Sequence, residues 1–87
     1  MALDERLLSV LVCPIDKGAL LYFVSDAILY NPRLRRLYRV ESDIPLMRAD
    51  QAQPVEADQH GRLVSRAPTE AVTTLDLPVA HLLASAG

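Results

Sequence analysis

The chain has 87 residues, 51% of them apolar, with one Phe and no Trp, which is enough for one small domain and no more. Residues 1–50 carry seven basic and seven acidic side chains and the remainder two against four, a balance that argues against nucleic-acid binding driven by bulk charge. The single cysteine excludes an intrachain disulfide framework and fits a reducing compartment. No apolar run approaches the about 20 residues of a membrane span, and Asp4 and Glu5 stand where a signal peptide would be positive, so a cytoplasmic location is expected.

In chain order, "LDERLLSVLV" sets Leu3, Leu7, Leu8 and Leu11 on one face at helical spacing. This predicts a short helix over 4–11, with Asp4 as N-cap and Leu3 stapled to Leu8. Pro14 stops it. "ALLYFV" (19–24) and "AILYN" (27–31) read as two strands around a turn at Ser25-Asp26, and Asn31-Pro32 is a second break. "RLYRV" (36–40) alternates Tyr38 and Val40 against Leu37 and Arg39, as a half-buried strand does. "ESD" makes a turn, and "IPLM" (44–47) is a short edge segment because Pro45 has no N–H for a central ladder. "RADQAQ" suits one or two helical turns.

Past Pro54 the character changes. "VEADQHG" is polar, "RLVSRAP" reads as a weak strand, and "TEAVTTLDLPVAHLLASAG" has helix-like apolar spacing broken at Pro78. Asp76 is placed to cap a last helix over 77–84 that buries Val79, Leu82 and Leu83. Residues 1–53 therefore read as one domain and 54–87 as a C-terminal extension. With Leu63, Val64, Val72, Leu75 and Leu77 added, the extension is too apolar to be left in water. It is expected to pack back across its own sheet or onto a second copy in a homodimer.

The segment "CPIDKG" (13–18) has the shape of half a zinc knuckle, in which a Cys-Pro-x-Cys turn would present two thiolates to a tetrahedral zinc. Here the fourth position is Asp16. "LLSVLVCPIDKGAL" followed by "ILYNPRLRRLYRVESDIPLM" resembles the small zinc-ribbon-like family of tRNA-methyltransferase activators and their bacterial YcaR-type (UPF0434-like) relatives. Members of that family read LL-x-x-L-x-C-P-x-C-x-G-x-L, then a second Cys pair, then Y-P-I-x-D-G-I-P-V-L-L. The resemblance spans roughly residues 3–52. It implies a small α+β, zinc-ribbon-like domain: a short N-terminal helix, a two- to four-stranded antiparallel sheet and a short helix. It also implies a non-catalytic role, binding and stabilising class I, S-adenosylmethionine-dependent methyltransferases. The family's four metal positions fall on Cys13, Asp16, Asn31 and Leu34, and Asp43 stands where the family has glycine. One thiolate, two oxygen donors and a leucine do not make a structural zinc site, so a metal-free variant with no cofactor is expected. Added apolar burial, at about 1.5–3 kcal/mol per large side chain, is the expected compensation for the missing metal.

The remaining candidates have bland readings beside the sharp ones. Cys13 reads as a small buried hydrophobe. His60 and His81 would complete a composite set with Cys13 and Asp16, but nothing in the sequence ties the two histidines to Cys13. "NPRLRRLYR" gathers Arg33, Arg35, Arg36 and Arg39 beside Tyr30 and Tyr38, either as an RNA-contacting patch or as the solvated face of a strand. The net acidic balance favours the second reading, so direct nucleic-acid binding is not expected. Asp4-Glu5 and Glu41 with Asp43 lie where helix starts and turns ordinarily place acids. With three glycines there is little scope for a phosphate loop, and no Ser-His-Asp pattern appears. The expected partner surface is the Leu7/Leu11 helix face together with Ile44, Pro45, Leu46 and Met47.

Overall fold

Leu20 to Phe23 is apolar at every position, a pattern that suits a strand covered on both faces. In the computed structural model, which describes residues 5–42, 44–75 and 79–85, this segment lies between two layers of packing. The chain runs through α1 (Glu5–Leu8), β1 (Leu21–Phe23), β2 (Ile28–Asn31), β3 (Arg36–Glu41), β4 (Ile44–Pro45), a single 3-10 turn (Ala49–Gln51), β5 (Gln53–Pro54), α2 (Ala57–Glu70), β6 (Ala71–Thr73) and α3 (Val79–Ser85). The fold is a small α+β one on an antiparallel sheet of order β4-β3-β2-β1-β6, with β5 also paired to β3.

Register sorts the side chains. Leu21 opposes Tyr30, Tyr30 opposes Leu37, Tyr22 opposes Leu29, and Leu29 opposes Tyr38. The period of two then separates two faces. On the first, Leu21, Phe23, Tyr30 and Leu37 pack with Val55, Leu63, Ala67 and Leu82. On the second, Leu20, Tyr22, Leu29, Tyr38 and Val40 pack with Leu8 and Cys13, bordered by Leu11, Met47 and Ala52. Leu37, which alternates with Tyr38 and Val40 along β3, is buried on the other face because Val55 and the α2 and α3 residues cover it. Leu34 is 37% exposed in a turn.

Two expectations for the C-terminal third are overturned. The "RLVSRAP" stretch is not a weak strand but the second half of α2, a 14-residue helix. Leu63 and Ala67, one turn apart, are its buried residues and seat it on the sheet. Pro68 is accommodated near the helix end, within three residues of Glu70. The "AVT" that follows is not helical but β6, antiparallel to β1 with Leu21 opposite Thr73 and Phe23 opposite Ala71. The last helix begins at Val79 and buries Leu82. The Asp76 cap, Leu77 and the Leu83 side chain lie outside the described residues.

At the other end, α1 stops at Leu8 instead of reaching residue 11. Ser9 Oγ donates to the Arg6 carbonyl at 2.8 Å, and the Leu8 carbonyl accepts from the Leu75 N–H at 3.1 Å, so a hydroxyl and the distant segment after β6 terminate the helix. The Asp4 cap and the Leu3 staple lie outside the described residues.

Candidate functional site: twin proline turns and an apolar surface

The chain builds the same turn twice. Cys13-Pro14-Ile15-Asp16-Lys17 and Asn31-Pro32-Arg33-Leu34-Arg35 each place proline second and end on a left-handed residue, Lys17 at φ 61° and Arg35 at φ 53°. In the first, Cys13 Sγ accepts the Ile15 N–H at 3.4 Å. In the second, Asn31 Oδ1 accepts the N–H groups of Arg33 at 3.0 Å and Leu34 at 3.2 Å. Both first-position side chains are fully buried.

The two turns meet through their side chains. Asp16 Oδ1 accepts from Gly18 N–H at 3.0 Å and from Asn31 Nδ2 at 3.2 Å. Arg33 Nε donates to Asp16 Oδ2 at 2.8 Å, and its terminal Nη2 donates to Asp16 Oδ1 at 3.3 Å and to the Ala19 carbonyl at 2.9 Å. The Arg33 hydrogen bonds hold the Asp16 carboxyl well below the usual carboxylate range, and burial only partly offsets them. Cys13 Sγ lies 3.1 Å from Tyr38 Oη, and burial, with that contact second, raises the phenol's pKa. Arg33 thus sits in a turn with its charge matched, not on the solvated face of a strand as its place in the arginine run suggested.

Zinc, which the family pattern implies, does not fit these residues. The Asp16 carboxylate is already held by a cation, Asn31 turns an amide donor toward it, Leu34 has no donor atom, and the Cys13 thiol packs on a phenol. Among the described residues no three His, Cys, Asp or Glu side chains gather as a metal site would require. His60 lies on α2 with its Nδ1 bonded to Tyr30 Oη, not beside Cys13. Burial, with Arg35 second, lowers the pKa of His60, and burial raises that of Tyr30 to about 12.

The expected partner-surface residues are spread over both faces and one edge. Leu11 and Met47 border the second-face cluster. Pro45 opposes Val40 and shares its face, whereas Ile44 opposes Glu41 and stands 62% exposed. Leu46 N–H donates to the Arg39 carbonyl at 2.9 Å, continuing the pairing along β3. The Leu7 side chain lies outside the described residues. Sequence reasoning passed over Val10 and Ile15, which flank buried Cys13 at 67% and 48% exposure. Two large apolar residues on either side of a Cys-Pro turn were the available signal. Of the arginine run, Arg36 bonds the Leu34 and Arg35 carbonyls at 3.3 and 3.2 Å, and Arg35 and Arg39 are exposed. An open cavity of about 280 Å³ between the β1–β2 turn and α2 is lined by Asp26, Ile28, Gln59, Arg62, Leu63 and Arg66, and Arg66 there is paired with Asp26 and Glu70.

The profile of the family described as Trm112p-like protein matches residues 4–43. A UPF0434 protein of Gluconobacter oxydans (strain 621H) is 40% identical over 55 residues, which make up 63% of this chain and 93% of that relative. A UPF0434 protein of Methylococcus capsulatus (strain ATCC 33009 / NCIMB 11132 / Bath) is 33% identical over 64 residues, 74% of this chain and 91% of that relative. The solution NMR structure of an uncharacterised protein is similar with a TM-score of 0.55 and 45% identity, covering 64% of this chain and 92% of the other. Residues 44–87 lie beyond the stretch that the family profile matches.

Proposed function

The chain belongs to the Trm112p-like, UPF0434 family, and on that premise we propose that it is a non-catalytic protein-binding module whose partner is a class I, S-adenosylmethionine-dependent methyltransferase. The Trm112p-like family is associated with methyltransferase activation. The observation that supports the reading best is the exposure of Val10 and Ile15 around the buried Cys13 turn. Among the described residues the second face is covered there by Leu8 of the four-residue α1 and by loop residues, and Val10, before the hydrogen-bonded Cys13 turn, and Ile15, within it, stay in water. Burying them is what a protein partner gains.

The sheet edge refines how such a partner docks. Both short strands on the outer side of β3 contain proline, Pro45 in β4 and Pro54 in β5, so a long added ladder is blocked there. Contact at this edge then falls to side chains, Ile44 first, with Leu11, Pro45, Leu46 and Met47 beside the second face. Residues 1–53 are the binding domain in this reading. Residues 54–87 cover the first face in cis and leave the second to the partner, and the module works in the cytoplasm. RNA contact is the weaker alternative, because Arg33 is matched by Asp16 and Arg36 is turned onto carbonyls. Self-association through β6 is the second reading, since β6 is outermost in the sheet and Val72 is 47% exposed.

Calorimetric titration of the purified chain into class I methyltransferases of its own organism tests the reading. Saturable one-to-one binding, weakened at least about tenfold by Val10→Asp or Ile15→Asp, is expected. Salt-sensitive RNA binding lost in Arg35→Glu/Arg39→Glu would favour the nucleic-acid alternative, and a concentration-dependent dimer broken by Val72→Asp would favour self-association. A panel of such enzymes with no binder would refute the proposal.

A further inference from the structure

The zinc that the family pattern implies does not fit this chain, and the residues at its positions do a related job in another way. We propose that the Arg33 guanidinium replaces the structural metal, acting as an internal cation that locks the two proline turns together.

A structural zinc in such a fold joins two turns because it takes donors from both. Arg33 belongs to the second turn and grips the first. Its Nε and Nη2 reach the two oxygens of Asp16, and Nη2 also reaches the Ala19 carbonyl at the entry to β1. Asn31 completes the link from the head of the second turn, giving its Nδ2 proton to Asp16 while its Oδ1 holds the turn's own amides. The planar fork of arginine suits this task, since it meets a carboxylate and a carbonyl in fixed directions, which a lysine ammonium does not.

The surroundings are shaped for that guanidinium. A Cβ built on Gly18 would stand 2.7 Å from Arg33 Cζ and 3.1 Å from Nε, so the residue after Lys17 has to be glycine for the arginine to sit where it does. The pair is partly sheltered, with side-chain exposures of 24% and 25%, unlike the open Arg48–Asp50 pair at 77% and 63%. Its role is geometric registration of two turns more than net ion-pair energy, which is small for pairs in contact with water. The Arg33–Asp16 link is a feature of the fold and does not depend on methyltransferase binding.

Thermal melts of a double-mutant cycle test it on the full chain. Asp16→Asn and Arg33→Met should each lower the melting temperature by about 5–10 °C. The double variant should lose no more than the worse single one, because the two groups act as one link. Gly18→Ala, which leaves both charges in place, should lower the melting temperature of the wild type but not of Arg33→Met. Excess EDTA should leave the wild-type melt unchanged. Losses that add in the double variant, an equal effect of Gly18→Ala in both backgrounds, or a wild-type melt that drops on chelation would each overturn the proposal. Should Arg33→Met fail to fold, Arg33→Lys takes its place in the cycle with the same required non-additivity.

Discussion

A thiol and an amide hold equivalent places in the two proline turns, Cys13 receiving the Ile15 N–H and Asn31 those of Arg33 and Leu34. Their replacements should behave differently. Cys13→Ser keeps a group able to bond Tyr38 Oη, at 3.1 Å from the present sulfur, so it should cost only about 1 kcal/mol in urea unfolding and leave the fold intact. Asn31→Leu removes both acceptor and donor and strands two backbone N–H groups, and about 1–3 kcal/mol should be lost by the same measurement. The sequence shows where the two turns lie, because Cys13-Pro14 and Asn31-Pro32 are visible breaks and the family spacing picks out positions 13, 16, 31 and 34 together. It does not show that Arg33 folds back 17 positions onto Asp16. Taken one by one, an arginine in a basic run and an aspartate at a failed ligand position carry no sign of each other.

Among elements, β1 to β3 and the last helix were legible while α2 and β6 were not, for a physical reason. The β1–β2 hairpin and β3 declare themselves through dense β-branched and aromatic runs bounded by turn residues. Helix α2 buries only Leu63 and Ala67, carries Gly61 and Pro68, and draws its support from partners far away: Arg66 reaches Asp26 at 2.9 Å, and its guanidinium lies 5.4 Å from the Phe23 ring centroid. Strand β6 is three residues long, and its pairing with β1 is a tertiary choice. The hinge of that choice is Thr74, whose Oγ1 accepts the Leu20 N–H at 2.8 Å while its own N–H donates to the Leu20 carbonyl at 3.0 Å. Thr74→Val should cost about 1–3 kcal/mol of stability because it leaves the buried Leu20 amide without an acceptor, and Thr74→Ser should recover most of it.

The α2 contact through His60 makes a pH prediction. Burial first, and Arg35 second, lower the pKa of the imidazole in the folded protein below the ordinary 6.5 of the unfolded chain. As pH falls through that value the unfolded chain takes up the proton first, and stability is lost. The wild-type melting temperature should drop between about pH 7.5 and pH 5.5, and His60→Asn should flatten that drop. An unchanged slope in the variant would remove His60 from the account of how α2 is held.

At the scale of the whole molecule, the chain is a family fold whose first face is closed by α2 and α3 and whose β1 edge is taken by β6. Of the extension's apolar residues, Leu63, Ala67 and Leu82 pack on the first face within one chain, while Val72 stands 47% exposed. Val10, Ile15 and Ile44 are the most exposed of the large apolar residues among those described in the first 53 positions, ahead of Val24 and Leu34, and these are the places where a methyltransferase would gain by contact. The most direct test is methyl transfer from radiolabelled S-adenosylmethionine by a class I methyltransferase of the same organism, with and without this chain. The account predicts that the chain alone transfers nothing, that its addition raises the enzyme's turnover or active half-life, and that the Val10→Asp/Ile15→Asp form does not. Methyl transfer by the chain alone, or enzymes indifferent to its presence throughout the panel, would contradict it.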